Sequence, residues 1–187
     1  MKVILKSLWS YVALWLAAAA IAFALATVSP NEASVMGHVP DLMLQTLSHE
    51  PISVPRGLPS ERTLVLITFQ RGQRKQADSW IAGLNLHNDA RISWLRMPVL
   101  DDPGTSGGRS ADESRLLQYY PDAGERAKLV PVFTDRADFV RAVGLGDVHS
   151  SYAVVLNRRG DVLARVEGEF DPDKARMLRE TLQIRGF

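Results

Sequence analysis

The sequence predicts an α/β domain with a central mixed sheet flanked by helices, and three observations support this fold class. The continuous run of apolar and β-branched residues at 63–69 is typical of a strand buried on both faces, and residues 91–100 predict a second buried strand. The amphipathic stretch 73–86 lies between them and predicts a crossover helix, so the two strands are expected to be parallel. Residues 152–156 and 161–166 flank a turn and predict a hairpin of antiparallel strands at the sheet edge.

The remaining elements are shorter. Residues 42–55 predict two short strands around a turn at Ser48–Glu50, and residues 101–110 predict a Gly- and Ser-rich loop. Further patterns predict a short helix at 111–120, an extended segment at 129–134 and a helix at 135–143. Asp171 and Pro172 are expected to open the last helix, with Asp at the cap and Pro at the first helical position.

Composition excludes several function classes. The chain of 187 residues has 22 basic and 21 acidic side chains, a formal net charge of +1, and the charges are interspersed. A nucleic-acid binder usually shows a clustered basic excess, so none is expected here. The chain has no cysteine. Disulfides, a thiol nucleophile, a thiolate-held metal and a lipidated cysteine anchor are therefore all excluded.

The N-terminus predicts export. Residues 8–28 carry no charge and, as a helix, would be about 31 Å long, enough to cross a bilayer core. Lys2 and Lys6 precede this run, so we expect a cytoplasmic N-terminus, a single pass through the inner membrane and a periplasmic domain. The alternative is a signal peptide cleaved near Ala26, which would leave a soluble periplasmic protein. Residues 29–39 are interpreted as a linker and 40–187 as the folded domain.

Four segments in this order resemble the thioredoxin superfamily, nearest to its peroxiredoxin-like branch. They are the opening pair at 42–55, the strand at 63–69, the segment 129–147, and the closing hairpin and helix at 151–182. Residues 66–80 and the closing hairpin are also similar to the mitochondrial ATP-synthase assembly-factor family, which has a thioredoxin-like domain. A group of small exported bacterial thioredoxin-like proteins poor in cysteine is the other resemblance.

The chain departs from the redox members of that superfamily at both halves of their site. Those members have Cys-x-x-Cys or a peroxidatic cysteine after the central strand, where this chain has residues 70–74, Gln-Arg-Gly-Gln-Arg. They also place a cis-proline before the hairpin, where this chain has residues 148–151 and no proline. The resemblance therefore implies the fold without the family's thiol chemistry.

The junction after the central strand is the first candidate site. Arg71, Gln73, Arg74 and Lys75 are expected to be exposed donors near a helix N-terminus, where free N–H groups and the helix dipole favour anions. This arrangement predicts a partner- or ligand-binding site that uses Arg71, Gln73 and Arg74. The alternative is a solvated loop with no role in binding.

His149 is the second candidate. It precedes the hairpin and is expected to lie opposite the junction, where it could act as a general acid or base with Asp101 or Asp102. The alternative is an ordinary surface histidine. The four histidines show no metal-ligand spacing, and Asp101–Asp102 is interpreted as a solvated turn in preference to a cation-binding loop. No metal and no cofactor are expected.

Two functions remain open from the sequence. The first is a membrane-anchored, redox-inactive thioredoxin-like domain that binds a membrane-associated protein partner, such as an assembly or stability factor for a membrane complex. The alternative is an exported cysteine-free enzyme or small-ligand-binding module that uses the cleft near His149.

Overall fold

The computed structural model describes residues 35–183. The strands are β1 (Leu42–Gln45), β2 (Pro51–Val54), β3 (Arg62–Thr68), β4 (Trp94–Asp101), β5 (Val132–Thr134), β6 (Tyr152–Asn157) and β7 (Val162–Glu167). The helices are α1 (Arg74–Gly83), α2 (Ser106–Tyr119), α3 (Ala123–Ala127), α4 (Arg136–Val143) and α5 (Pro172–Gln183). A single 3₁₀ turn, Arg71–Gln73, leads directly into α1.

The main sheet is mixed, as the sequence predicts. Its strand order is β5-β4-β3-β6-β7. Strands β3, β4 and β5 are parallel, whereas β6 pairs antiparallel with β3, and β7 pairs antiparallel with β6. Strands β1 and β2 form a separate antiparallel hairpin. The carboxyl ends of β3, β4 and β5 therefore meet at one end of the sheet, and the β6–β7 turn lies at the other end.

Side chains of β3 alternate between two apolar layers. Val65 and Ile67 pack in one layer with α4 and the β1–β2 hairpin, and Leu64 and Leu66 pack in the other with α1 and α5. The apolar positions of the helices lie in these two layers: Ala77, Trp80, Ile81 and Leu84, then Phe139, Val140 and Val143, then Ala175, Leu178 and Leu182.

Residues 35–39, the last part of the predicted linker, pack against the domain. The amide of Met36 donates to the carbonyl of Val162 (3.1 Å), and the amide of Val39 donates to that of Gly160 (2.8 Å). Val39 is fully buried. Gly37 lies so close to α4 that a Cβ there would stand 2.2 Å from the Val143 carbonyl oxygen. This 35–39 segment therefore docks at the end of the sheet that carries the β6–β7 turn.

Two helices differ from the prediction. Helix α2 begins at Ser106, within the predicted loop, because the Thr105 hydroxyl caps it by accepting a hydrogen bond from the Gly108 amide (3.2 Å). Helix α3 was not predicted. Asp122 caps it in the same way, accepting from the Glu125 amide (2.9 Å). In both cases a capping side chain outweighs a sequence typical of loops.

Among residues 35–183, no helix is long and apolar enough to cross a membrane. The predicted span at residues 8–28 lies outside the described residues.

Candidate functional site: a cleft at the β3–α1 junction

A cleft of about 660 Å³ opens at the carboxyl ends of β3 and β4, between the start of α1 and the body of α2. Open α/β sheets bind ligands at this end. Its apolar lining comes from Phe69, Pro98, Leu100 and Leu116. Its charged lining comes from Arg71, Arg74, Lys75, Asp101, Asp112 and Arg136. The cleft thus combines an apolar floor with a mainly cationic rim.

Gln73 differs from the expectation of an exposed donor. Its side chain is buried, and its Oε1 accepts hydrogen bonds from the backbone amides of Phe69 (2.7 Å) and Gln70 (3.2 Å). Its Nε2 donates to the carbonyl oxygen of Val148 (2.8 Å). One buried amide therefore satisfies the backbone of the turn and ties it to the loop before β6.

Arg71 and Arg74 connect the start of α1 to the end of α2. Arg74 Nη1 donates to the Tyr119 carbonyl (2.7 Å), and its guanidinium lies 4.5 Å from the centre of the Tyr120 ring. Arg71 Nη1 donates to the Tyr119 hydroxyl at a longer 3.3 Å. Tyr120 is buried, which raises the pKa of its phenol. Arg74 thus shapes the cleft wall, while Arg71 remains exposed at the rim.

A buried arginine lies beneath this wall. Arg96 of β4 is 5% exposed and pairs with Asp78 (2.6 Å) and Glu125 (3.5 Å). Asp78 also pairs with Arg74 (3.6 Å), so the two arginines and two carboxylates form one balanced network. Sequence reasoning missed Arg96, although a lone arginine within an apolar strand indicates a buried charge that needs partners.

The other acids of the cleft are also paired. The ion pairs are Arg136 with Asp101 (3.4 Å) and Arg115 with Asp112 (2.6 Å). Arg71 and Lys75 remain, and within residues 35–183 neither has a carboxylate partner inside 4.0 Å. Both are exposed and both line the cleft. The unbalanced charge of the cleft is therefore positive and lies on the side formed by the start of α1.

The structure does not bring His149 together with the predicted carboxylates. His149 is exposed, its backbone amide donates to Asp147 Oδ1 (2.7 Å), and it is not part of the cleft lining. Asp101 pairs with an arginine, and Asp102 accepts two hydrogen bonds from Arg109 (2.5 and 3.0 Å). The Arg109 guanidinium lowers the pKa of Asp102. The contacts of these residues give no support to a His–Asp catalytic pair.

The loop before β6 contacts the junction, since the carbonyl oxygen of Val148 accepts a hydrogen bond from Gln73. Residues 148–151 of this loop contain no proline. Across residues 35–183, no three His, Cys, Asp or Glu side chains cluster so that they could hold a metal ion.

The strand order, the junction at the end of β3 and the closing hairpin with α5 give the thioredoxin-like fold, which confirms the fold that the resemblance implies. Its site departs from the redox members because the junction carries glutamines and arginines in place of cysteine.

No protein-family model matches the chain, and no curated protein matches it. Solved structures do. An inferred electron-transfer protein from Aquifex aeolicus VF5 matches with TM-score 0.55 and 15% identity over 78% of this chain and 97% of its own.

Two further solved structures are similar. BsSco, a member of the Sco family of cytochrome c oxidase assembly proteins, matches with TM-score 0.54 and 14% identity over 80% of this chain and 95% of its own. The exposed lipoprotein thioredoxin of Streptococcus pneumoniae strain TIGR4 matches with TM-score 0.50 and 10% identity over 75% and 99%. At these identities the likeness establishes the fold.

Proposed function

We propose that this protein is a membrane-anchored, redox-inactive thioredoxin-like domain that binds a protein partner on the exported side, as an assembly or stability factor for a membrane complex. The observation that carries the proposal is the cleft at the β3–α1 junction. It has the volume and the apolar floor of a binding site, and none of its lining side chains is a thiol.

The chemistry of the cleft favours binding over catalysis. Its carboxylates are held by arginines and so are poorly placed to transfer protons. The buried Gln73 fixes the backbone of the junction, and Arg74 fixes the adjacent wall. A preformed cleft with a fixed backbone loses little conformational freedom when a partner binds, which is what a recognition site requires.

Two observations support a role at a membrane. Residues 8–28 are apolar and uncharged and follow Lys2 and Lys6, a pattern typical of a signal-anchor. Anchoring raises the effective concentration of the domain near membrane partners. The same fold also occurs in BsSco, from a family of oxidase assembly proteins. We extend the assembly role to this chain as part of the proposal.

Photo-crosslinking in cells tests the proposal with a matched pair of glycines. A Cβ at Gly72 meets nothing within 4 Å, and Gly72 lines the cleft. Gly107 is equally open and exposed but lies outside the lining. A photo-reactive amino acid at position 72 of the full chain should capture one recurrent subunit of a membrane complex. The same amino acid at position 107 should not.

Substitution of Arg71 at the rim provides a second test in the same crosslinking experiment. R71A should reduce capture from position 72, since Arg71 is exposed and faces the cleft, whereas R176A on the outer side of α5 should leave it unchanged. Arg74 is a poorer choice because its contacts with Tyr119 shape the cleft itself. Identical capture from positions 72 and 107, or none from either, would contradict partner binding at this cleft.

The membrane part of the proposal has its own tests. Because the chain has no cysteine, G72C carries a single thiol. A membrane-impermeant maleimide should label it in spheroplasts before lysis if the domain is exported. Labelling only after lysis would place the domain in the cytoplasm. N-terminal sequencing of the mature protein then separates an intact anchor from cleavage near Ala26.

A further inference from the structure

Two cations of the cleft stand unneutralised beside an apolar floor. Arg71 and Lys75 are exposed, line the cleft and have no carboxylate partner among the described residues. They are four positions apart across the 3₁₀ turn and the start of α1, so their side chains are neighbours on one face. The positive charge is therefore concentrated on one wall.

The opposite wall and the floor carry apolar and aromatic side chains, beside Asp112 of α2, which pairs with Arg115. Pro98 and Leu100 come from β4, Leu116 comes from α2, and Tyr119 is 42% exposed at the end of α2. An exposed tyrosine beside aliphatic side chains is a favourable contact for an apolar or aromatic group of a partner. The cleft thus offers an apolar side and a cationic side at the same time.

The acidic residue of α1 is Asp78, which pairs with Arg74 and Arg96. Neither the 3₁₀ turn nor the first turn of α1 holds an acidic residue, although a helix start favours negative charge. Helix α4 of the same sheet end shows the common arrangement, with Asp135 as cap and Asp138 in the first turn. A bound carboxylate would supply at α1 the negative charge that the chain itself does not.

We infer that the occupant of the cleft is an acidic segment of the partner protein, in which carboxylates face Arg71 and Lys75 and an adjacent apolar side chain lies on the floor. This inference rests on the proposed function and adds the chemistry of the partner to it. A protein segment of this kind complements the cleft, because its carboxylates match the charge of Arg71 and Lys75 and its apolar side chain covers the floor.

Phage selection of random peptides on the full-length chain in phosphatidylcholine nanodiscs tests the inference. The selections compare the natural chain with R71E/K75E and with R176E/R179E, which makes the same change in net charge on the exposed face of α5. Peptides enriched on the natural chain should be acidic and should contain an apolar residue. Their synthetic versions should bind R71E/K75E about tenfold more weakly and R176E/R179E unchanged, with binding that weakens as salt rises.

The outcomes separate this inference from the proposed function. The enriched peptides could instead be neutral or basic and still lose binding when cleft residues beside Gly72 are substituted. That result would support partner binding at the cleft and overturn the inference of an acidic segment. Acidic peptides that bind R71E/K75E as well as the natural chain would overturn it too. Enrichment of no peptide, together with phosphatidylglycerol vesicle binding that needs Arg71 and Lys75, would assign the cations to a lipid headgroup and overturn both.

Discussion

The two ends of the main sheet differ in how their charged side chains are paired. At the end with the β6–β7 turn, Asp161 accepts hydrogen bonds from Asn157 (2.8 Å) and Arg159 (3.0 Å), and His38 lies 3.5 Å away. At the cleft end, Arg71 and Lys75 have no carboxylate partner within the described residues. One end of the sheet is closed by the docked 35–39 segment, and the other is open at the cleft.

This difference separates an end held by contacts within the chain from an end whose side chains are available to a proposed partner. The closed end is covered by the docked 35–39 segment, whose backbone is hydrogen-bonded to Val162 and Gly160. The open end satisfies its backbone through the buried Gln73 and leaves charged side chains to solvent. Substitutions at the two ends should therefore have different consequences for the free energy of unfolding.

Loss of Gln73 should have the largest effect, because it opens a buried hydrogen-bond network at the cleft end. Q73A removes the acceptor of the buried Phe69 amide and the donor to Val148. We expect the free energy of unfolding to fall by about 3 kcal/mol, the penalty of leaving buried polar groups unpaired. Urea denaturation followed by circular dichroism measures it. Q70A, which removes an exposed amide with a 3.4 Å contact, should change it by about 0.5 kcal/mol or less. Equal losses would contradict the role of Gln73.

A pair of glycine substitutions compares the two ends directly. G37A places a Cβ against the Val143 carbonyl and should lower the free energy of unfolding by about 1–3 kcal/mol through overpacking. G72A meets nothing within 4 Å at the cleft and should leave stability within about 0.5 kcal/mol of the natural chain. Thermal unfolding of the two variants side by side decides this. A destabilised G72A with a normal G37A would reverse the comparison.

Asp161 should give the closed end a pH dependence. The hydrogen bond from Asn157, with the help of Arg159, lowers the pKa of Asp161. A carboxyl whose pKa is lower in the folded chain adds stability above its unfolded pKa of about 3.9, and this is lost as pH falls through the folded value. D161N should therefore reduce the free energy of unfolding by about 1 kcal/mol at neutral pH, and the difference should vanish in acid.

Urea denaturation at a series of pH values measures that difference. D41N removes an exposed carboxylate paired with Arg56, and it should have a smaller effect at every pH. A D161N difference that persists unchanged below the unfolded pKa would show that the loss is one of packing and not of charge.

Charge reversal at Lys75 should have the smallest effect on stability, and it should raise the free energy of unfolding where the other substitutions lower it. K75E places a carboxylate at the start of α1, where the helix dipole favours it, so the free energy of unfolding should rise by about 0.3–1 kcal/mol. K75Q should give roughly half of the gain. The same K75E chain should capture its partner less well, and a destabilised K75E would contradict the view that this wall trades stability for recognition.

Much of the fold could be predicted because most of its strands and helices have a recognisable pattern in their own residues. Residues 63–69 and 152–156 are apolar runs of strand length, and the apolar positions of α1 repeat with helical spacing. Helix α2 could not be placed correctly, since residues 106–110 are rich in glycine and serine and only the Thr105 cap makes them helical. Propensity is a weak guide where one hydrogen bond decides the boundary.

The candidate site was predicted in position and only partly in composition. The rule that ligands bind at the carboxyl ends of parallel strands located the junction and Arg71. The burial of the Gln73 side chain was not predictable, because its hydrogen-bond partners Phe69 and Val148 are far apart in the sequence and meet only in the folded domain. Tyr119 and Arg136 were missed because they reach the cleft from two other elements, α2 and α4.

The docked 35–39 segment also sets how the domain would carry a mechanical load. A pull applied at residue 35 acts first on the hydrogen bonds of Met36 to Val162 and of Val39 to Gly160. These bonds lie at the start of β7 and in the β6–β7 turn, at the far end of the sheet from the cleft. Tension from the N-terminal side would therefore strain the edge of the sheet first, while β3, β4 and a segment held between them and α2 stayed unloaded.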